Sequence, residues 1–334
     1  MRNFILKRIL QLILVLFAVT FTTFASMNVI GSPLENIVGP IIAGTDCDAV
    51  ERGELPDTSS SGGGKTDCEV VREAEKEFNL DRPVAVRYGI WVGNMAQGDM
   101  GKSLVVGTEI SELVKQRLPR TLKLVVYAQI VALGVAIPWG VSTARRANRG
   151  FDRASTIGSF GLLSIPNFAL GVVLLYAFSF RWNLFPSVFD DTSITSQIKS
   201  LTLPALTLGL GLAATYQRLL RTDLITTLQD DFVHMARAKG MPPRHIMYRH
   251  ALRPSLFSVV TVFGVNTGAL IGGSLVVEQI FGIQGIGALL VQSVLRQDQP
   301  AVVALVSIVA VGFVVINFLV DLFYGWLDPR VRAT

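Results

Sequence analysis

Charged residues and histidines are scarce in this chain, and their scarcity excludes several classes of protein. Only 16% of the 334 residues are charged, against about 25% in soluble domains. The three histidines are separated by 11 and 5 residues, spacings that do not bring a pair together on one helical face. No cluster of cysteines or carboxylates accompanies His234, His245 and His250. We therefore interpret them as part of a solvated loop and expect no metal site or cofactor in this chain.

Motifs of catalysis are missing as well. The chain has no nucleophile elbow and no HExxH zinc motif. Gly64-Lys65-Thr66 resembles the end of a phosphate-binding loop, but Ser59 stands where that loop requires a glycine. The sequence therefore indicates a protein that is not an enzyme. Any active process in which it takes part must draw its energy from another subunit.

Apolar residues are what the chain has in excess, and they are gathered in long runs. Half of the residues are hydrophobic, and a membrane-spanning helix needs about 20 of them in succession. Prolines inside the second, third and fourth runs are tolerated in membrane helices, usually with a kink. The pattern predicts an all-α integral membrane protein with six transmembrane helices. The six runs are Ile9–Ile30, Leu122–Thr143, Ser155–Phe180, Leu201–Tyr216, Leu256–Val277 and Ala301–Phe323.

The first run has features of both a secretory signal and a membrane anchor. Arg2, Lys7 and Arg8 precede it, as in a signal peptide. The run is longer than the apolar core of a signal, which has about 7–15 residues, and no A-x-A cleavage site follows it. We therefore interpret it as an uncleaved anchor.

Charge in the connections between the runs predicts the orientation. Residues 31–119 carry nine basic and fifteen acidic residues, whereas residues 218–254 carry seven basic and three acidic ones. The N-terminus and the connection at 145–153 each have a net charge of +3. Because basic connections stay in the cytoplasm, both termini are expected there, with the acidic segment outside. The basic residues are not gathered on one soluble domain, so we expect the lipid bilayer as a partner and no nucleic acid.

This topology divides the chain into four parts. Residues 1–30 form the N-terminal end and first helix, and residues 31–120 form an extracytoplasmic region with a flexible loop at 57–65 and a charged helix at Glu69–Phe78. Residues 121–323 form a five-helix core with a cytoplasmic loop at 218–254, and residues 324–334 form a cytoplasmic tail. The only two cysteines, Cys47 and Cys68, fall in the oxidising compartment. A disulfide between them would contribute about 3 kcal/mol by the loop-entropy model, and two free thiols are the alternative.

Two features of the fifth run and its continuation suggest packing or gating. Gly264, Gly268 and Gly272 are spaced by four and so lie on one helical face, where they allow close helix contact. That contact is either within one bundle or between two chains around a pathway. Glu278 and Phe281 then precede three glycines in a turn toward the membrane. They are candidates for a gate, with Asn266 as a further pathway candidate, and an ordinary interfacial acid is the alternative for Glu278.

The basic loop Phe232–Pro254 resembles the cytoplasmic coupling segment of ABC importer permeases. The general pattern is Glu-Ala-Ala, three residues, Gly, nine residues, Ile, one residue, Leu-Pro. Aligned on Gly240, this chain departs from it with His234-Met235-Ala236 at the first three positions and His250 at the Ile position. The segments 236–240, 250–253, 272–300 and 328–330 are similar to the peptide-transporting branch. The resemblance covers nearly the whole chain except roughly residues 40–75, and its nearest group is the B-type subunits of dipeptide and oligopeptide permeases.

The resemblance implies a permease subunit of an ATP-driven importer in the bacterial cytoplasmic membrane. The fold would be that of a type I ABC importer permease, with an extracytoplasmic insertion between helices 1 and 2. The partners would be a second homologous permease, one or two cytoplasmic ATPase subunits that use ATP and magnesium, and an extracytoplasmic peptide-binding protein. A short helix at about Ala236–His245 would dock on the ATPase, with Gly240 allowing a sharp turn or a close approach. The coupling residues would be Ala236, Arg237, Ala238, Lys239, Gly240, Arg244 and His245.

Other functions are less consistent with the sequence. A secondary transporter would need carboxylates well inside its spans, and the first five runs have none. A receptor would not explain the basic loop. Within the importer family the solute could instead be nickel, glutathione or another small molecule.

The cysteine pairing gives a first prediction. Reduction followed by alkylation should raise the mass of the intact protein by two alkyl groups, while the unreduced protein should take up none. Two thiols that are freely labelled in the native protein would contradict the disulfide.

Overall fold

The computed structural model describes residues 2–30, 34, 38–58, 65–77 and 81–327, without the side chains of residues 2–9, 27–30, 40, 77 and 321–327. Every regular element in these ranges is helical, which confirms the predicted all-α class. Most of the predicted flexible loop at 57–65 and the segment 328–330 lie outside the described residues. So do Ser59 and Gly64 of the rejected phosphate-loop pattern.

The helices follow one another along the chain in the order given below. Two stretches of wider π-helix, Leu175–Arg181 and Ile246–Ala251, continue α8 and α11. The α-helices are α1 (Arg2–Ile30), α2 (Pro40–Ala43), α3 (Cys47–Glu51), α4 (Asp67–Glu77), α5 (Val84–Ala96), α6 (Ile110–Ala144), α7 (Gly150–Ser164), α8 (Asn167–Leu174), α9 (Ile194–Thr227), α10 (Asp231–Ala238), α11 (Pro243–His245), α12 (Leu252–Gly273), α13 (Leu275–Ile280), α14 (Ile286–Leu295) and α15 (Gln299–Leu327).

Four helical stretches of the described residues are long and apolar enough to cross a membrane. They are α6, α9, the continuous run Pro243–Gly273 and the part of α15 at 299–320. The described side chains of α1 form a shorter apolar stretch, Leu10–Ser26. The six-span topology therefore stays a prediction, although each predicted run falls on a helix or a helix pair.

The third predicted run is divided between two helices. Helix α7 and the helix that begins at Asn167 pass the length and composition test only together, and they are bent by 99° at the break between them. Pro166 lies at this break. Proline has no backbone N–H and disfavours helical geometry in the residue before it, which explains why the helix is interrupted here. Pro138 and Pro204, in contrast, lie inside α6 and α9 without interrupting them.

Packing divides the chain into two compact units, the first of which comprises residues 1–116 and 289–311. In this unit Cys47 and Cys68 form a disulfide with a Cα–Cα distance of 5.4 Å. Tyr88 of α5 packs among aromatic side chains of α1, and its hydroxyl lies 2.7 Å from the hydroxyl of Thr20. The carboxylate of Asp298, just before α15, accepts hydrogen bonds from the Ser103 hydroxyl and the Leu104 N–H. These contacts fix α5 and the segment around Ser103 within the unit.

The second unit comprises residues 117–288 and 312–334, and α9 runs through its core. Close backbone contact requires small residues here. A Cβ at Gly209 would lie 2.8 Å from the carbonyl oxygen of Ala128, so α6 and α9 approach each other at this glycine. Gly264 and Gly268 of α12 face Val320 and Phe313 of α15 in the same way.

The glycine face of α12 thus packs against another helix of the same chain. Both Gly264 and Gly268 are buried, and their neighbours belong to the same unit. Gly272, the third member of the series, is partly buried near the end of α12. Of the two alternatives for the glycine series, the contacts at its first two positions correspond to packing within one bundle.

Candidate functional site

The segment 231–253, which resembles the coupling segment of importer permeases, begins shortly after the long helix α9. Its first helix, α10, buries Val233 and Ala236 against Ile246, which lies beyond the following turn. Leu228 and Met241 pack beside this small apolar cluster. The cluster attaches α10 to the rest of its own chain, so that the helix is held as a rigid element and not as a free loop.

The turn that ends α10 explains why glycine occupies position 240. The N–H of Gly240 donates to the carbonyl of Arg237 at 2.9 Å, and the N–H of Met241 donates to that of Ala236 at 3.3 Å. These two bonds define a Schellman motif, which places a left-handed residue just after the helix. Gly240 has φ of 75°, a value that costs a residue with a side chain about 1–2 kcal/mol.

The predicted helix at Ala236–His245 is therefore wrong in its bounds. Helix α10 ends at Ala238, and the next helix begins only at Pro243. The Schellman turn reverses the chain between them, and Pro243 at the first helical position suits a helix start. Ala236 and Ala238 consequently lie before the turn, whereas Arg244 and His245 lie after it.

The outward surface of α10 combines apolar and basic side chains. Phe232 and Met235 are 41% and 62% exposed, and Arg237 and Lys239 are also exposed. Exposed apolar side chains next to arginine are typical of protein interfaces. Phe232 and Met235 were not among the predicted coupling residues. On a helix they occupy positions next to the buried pair Val233 and Ala236, so their exposure could have been inferred from the helical pattern.

The segment after the turn presents its basic residues on one side. Ile246, Met247 and Ala251 are buried, whereas Arg244 and His245 are exposed. The rings of His245 and His250 are 5.5 Å apart between centroids. Within the described residues, no three His, Cys, Asp or Glu side chains are arranged to hold a metal ion.

An ion pair connects the start of α7 to α9. The guanidinium of Arg221 makes two hydrogen bonds to the carboxylate of Asp152, at 2.5 and 2.6 Å. The backbone N–H of Asn148 adds a third bond to that carboxylate, at 2.8 Å. Paired guanidinium and carboxylate groups fix both position and orientation. The end of α9 that leads into α10 is thereby connected to the start of α7.

A second site is built around Glu278 at the other end of α12. This side chain is fully buried. Its carboxylate accepts hydrogen bonds from the Thr121 hydroxyl at 2.7 Å, the Ser274 hydroxyl at 3.2 Å and the Ala288 N–H at 2.9 Å. The Ala288 N–H belongs to the first turn of α14, where an anion is favoured by the exposed N–H groups and the helix dipole.

The glycines of the turn leave room for this carboxylate. A Cβ on Gly285 would collide with the Glu278 carboxylate, and one on Gly287 would lie 2.8 Å from the Cα of Leu275. Thr121 completes the arrangement, because its hydroxyl oxygen also accepts the N–H of Ile286 at 2.9 Å. Glu278 thus holds the turn and the start of α14 against α6.

The three pathway candidates do not form one cluster of contacts. Phe281 is 1% exposed, and its carbonyl accepts the N–H of Phe189. Asn266 instead donates to the hydroxyl of Tyr216 at 3.5 Å, and Tyr216 donates to Gln129 at 3.0 Å. In this conformation neither Glu278 nor Phe281 offers surface to a passing solute. A gating role for them stays a prediction.

Known proteins are similar to this chain in sequence. Residues 136–333 match the family model of the binding-protein-dependent transport system inner membrane component. The chain is 35% identical to the oligopeptide transport system permease protein AppB of Bacillus subtilis, over 99% of this chain and 100% of that protein. It is 31% identical to the glutathione transport system permease protein GsiC of Escherichia coli K12, over 99% of both chains.

A solved structure shows a similar fold. A chain of the MetNI methionine ABC transporter, in inward-facing conformations, superposes with a TM-score of 0.56. The match covers 65% of this chain and 96% of that one, at 17% sequence identity. This likeness supports the predicted fold class of a type I importer permease.

The buried carboxylate gives a second prediction. Glu278→Ala should lower the stability of the purified protein by at least about 2 kcal/mol, because three or more buried donors lose their acceptor. Glu278→Gln should lose less, since one oxygen remains. Thermal unfolding in detergent measures both, with Glu112→Ala as a control at an exposed acid. Equal stability of the Glu278→Ala and Glu112→Ala proteins would show that the hydrogen bonds contribute nothing.

Proposed function

The chain belongs to the family of binding-protein-dependent transport system inner membrane components, and on this premise we propose its substrate, partners and mode of coupling. It is a multi-pass protein of the inner membrane and a permease subunit of an ABC importer. Its substrates are dipeptides or oligopeptides. The observation that carries this substrate class is the similarity over the full length to a permease named for oligopeptides.

Glutathione is the second candidate substrate. A permease named for glutathione is similar over the same length at 31% identity. Glutathione is itself a small peptide, so the two candidates share amide and carboxylate groups. No comparable observation favours nickel, which remains the alternative from the family resemblance alone.

The chain acts as one part of a larger assembly. A second homologous permease completes the pathway, one or two cytoplasmic ATPase subunits use ATP and magnesium, and an extracytoplasmic binding protein delivers the peptide. Both termini lie in the cytoplasm. The net charge of −6 in residues 31–119 supports this orientation, since few basic residues remain on that side. The chain contributes no ATPase site of its own.

Coupling takes place at α10 and the turn after it. Phe232 and Met235 supply exposed apolar contact area, and Arg237 and Lys239 supply positive charge for acidic side chains of the ATPase. Arg244 and His245 extend the basic surface beyond Gly240. The apolar cluster of Val233, Ala236 and Ile246 lies beneath this surface.

Motion of the docked helix reaches the membrane spans through two connections. The first is the apolar cluster, which joins α10 to the run Pro243–Gly273. The second is the direct continuation from α9, whose end is fixed by Arg221 and Asp152. Closure of the ATPase dimer would displace α10 and switch the bundle between inward-open and outward-open states as rigid bodies.

Co-purification with functional reconstitution tests this proposal. Tagged protein isolated in mild detergent should bring a second permease and the ATPase subunits with it. In proteoliposomes with the binding protein, peptides should stimulate ATP hydrolysis, and glutathione should do so only if it is the substrate. A chain that is recovered alone and is stable and monodisperse would contradict the assembly.

Gly240 gives a third prediction. Gly240→Val should leave the complex assembled and hydrolysing ATP but reduce peptide uptake strongly, because a β-branched residue disfavours φ of 75° and alters the turn. Uptake and ATP hydrolysis are measured in the same proteoliposomes. Gly98→Val is a matched control, since Gly98 ends α5 in an equivalent turn with φ of 87° and open space around its Cβ. Normal uptake by the Gly240→Val complex would contradict the coupling role.

A further inference from the structure

The helical run Pro243–Gly273 is longer than the hydrocarbon of a bilayer requires. It has 31 residues, whereas about 20 are enough to cross. If the roughly 20 residues that cross the hydrocarbon are counted back from Gly273, they end near Arg253. Residues 243–253 then lie among the lipid headgroups and beyond them. This register rests on the permease topology proposed above, and it holds whichever side of the membrane the segment faces.

A basic cleft lies in this headgroup segment. It is a shallow cleft, widely open to its surroundings, with a volume of about 760 Å³. No carboxylate is among the residues that line it. Its lining residues are Pro242, Arg244, His245, Tyr248, Arg249 and Arg253.

The positive charge of the cleft is not neutralised within the described residues. In the part of the chain that the structure describes, no acidic side chain pairs with Arg244, Arg249 or Arg253. All three arginines are exposed. Their guanidinium groups are thus available as donors to a ligand that carries negative charge.

The same helix face continues from basic to apolar. Arg249 and Arg253 are one turn apart, and Phe257 follows one further turn toward the membrane interior. Phe257 is 45% exposed, while Ala251 and Ser255 on the other face are buried. A phospholipid bound here would therefore have its phosphate next to the basic side chains of the cleft and its hydrocarbon chain next to the apolar side chain of Phe257.

We propose that this cleft binds the headgroup of an anionic phospholipid, with an acyl chain of that lipid against Phe257. Arginine suits this ligand, because its planar guanidinium can make two hydrogen bonds to one phosphate. Basic residues beside a membrane span attract anionic lipids. Arg244 and His245 belong both to the basic docking surface and to the lining of the cleft. Arg249 and Arg253 line the cleft but lie outside the docking surface, so they are free to bind lipid while α10 contacts the ATPase.

Photocross-linking tests the site directly. The complex is reconstituted in phosphatidylcholine nanodiscs with a small fraction of phosphatidylglycerol that carries a photoreactive group on its acyl chain. Cross-links should map to the peptide that contains Phe257. The double variant Arg249→Gln, Arg253→Gln should bind this lipid about 25-fold more weakly, at about fivefold for each arginine.

Matched variants separate lipid binding from general charge. Arg149→Gln removes an exposed arginine outside the cleft and should leave cross-linking unchanged. Arg249→Lys, Arg253→Lys should retain part of it, because charge remains without the two-bond geometry. ATP hydrolysis and co-purification in the same samples report on the importer assembly separately, so its failure is distinguishable from failure of the lipid site.

Four results would overturn the proposal. The first is equal cross-linking of a phosphatidylcholine probe, and the second is full cross-linking in the glutamine double variant. The third is competition by inorganic phosphate, which would indicate a site for a free anion. The fourth is the absence of cross-links at this peptide together with loss of the second permease from the double variant, which would identify the cleft as a subunit interface.

Discussion

The bilayer excludes charge, and the arrangement of this protein depends on that constraint. A charged side chain at mid-bilayer costs about 2.5–3.5 kcal/mol even on the mildest scale. The run Pro243–Gly273 accordingly gathers Arg244, Arg249 and Arg253 in its first eleven residues and keeps charge out of the remainder. Helix α9 ends in a comparable way, with Arg221 paired to Asp152. Because charge must leave the hydrocarbon at these ends, the basic segment at 231–253 is available for contact with other molecules.

Several polar groups that lie inside the chain form hydrogen bonds with one another. Glu278 is held by Thr121, Ser274 and the start of α14, and Tyr216 joins Gln129 to Asn266. Such networks connect helices that are far apart in sequence and fix their register. Close contacts at glycine, as between Gly209 and Ala128, add to the same effect. Contacts of this kind hold the connected helices together, as the proposed rigid-body motion of the bundle requires.

The sequence predicted the class of fold well because a long apolar run has few alternatives to a helix. It suggested a sharp turn or a close approach at Gly240 but placed this glycine inside one helix, whereas the structure ends a helix there. Only a residue without a side chain adopts φ of 75° at no cost. The sequence could not predict that Pro166 breaks a span whereas Pro138 does not, since both prolines lie in similar apolar surroundings. The partners of Glu278 were also beyond reach, because Thr121 is 157 residues away along the chain.

The central claim is that α10 is the contact between this permease and its ATPase. The most direct measurement places a photoreactive phenylalanine at Met235, which is 62% exposed, in the purified complex. The control places it at Ile157, which is 73% exposed on α7. The account predicts a cross-link from position 235 to the ATPase subunit and none from position 157. A complex with bound ATPase that shows no cross-link from position 235, or equal cross-linking from both positions, would contradict it.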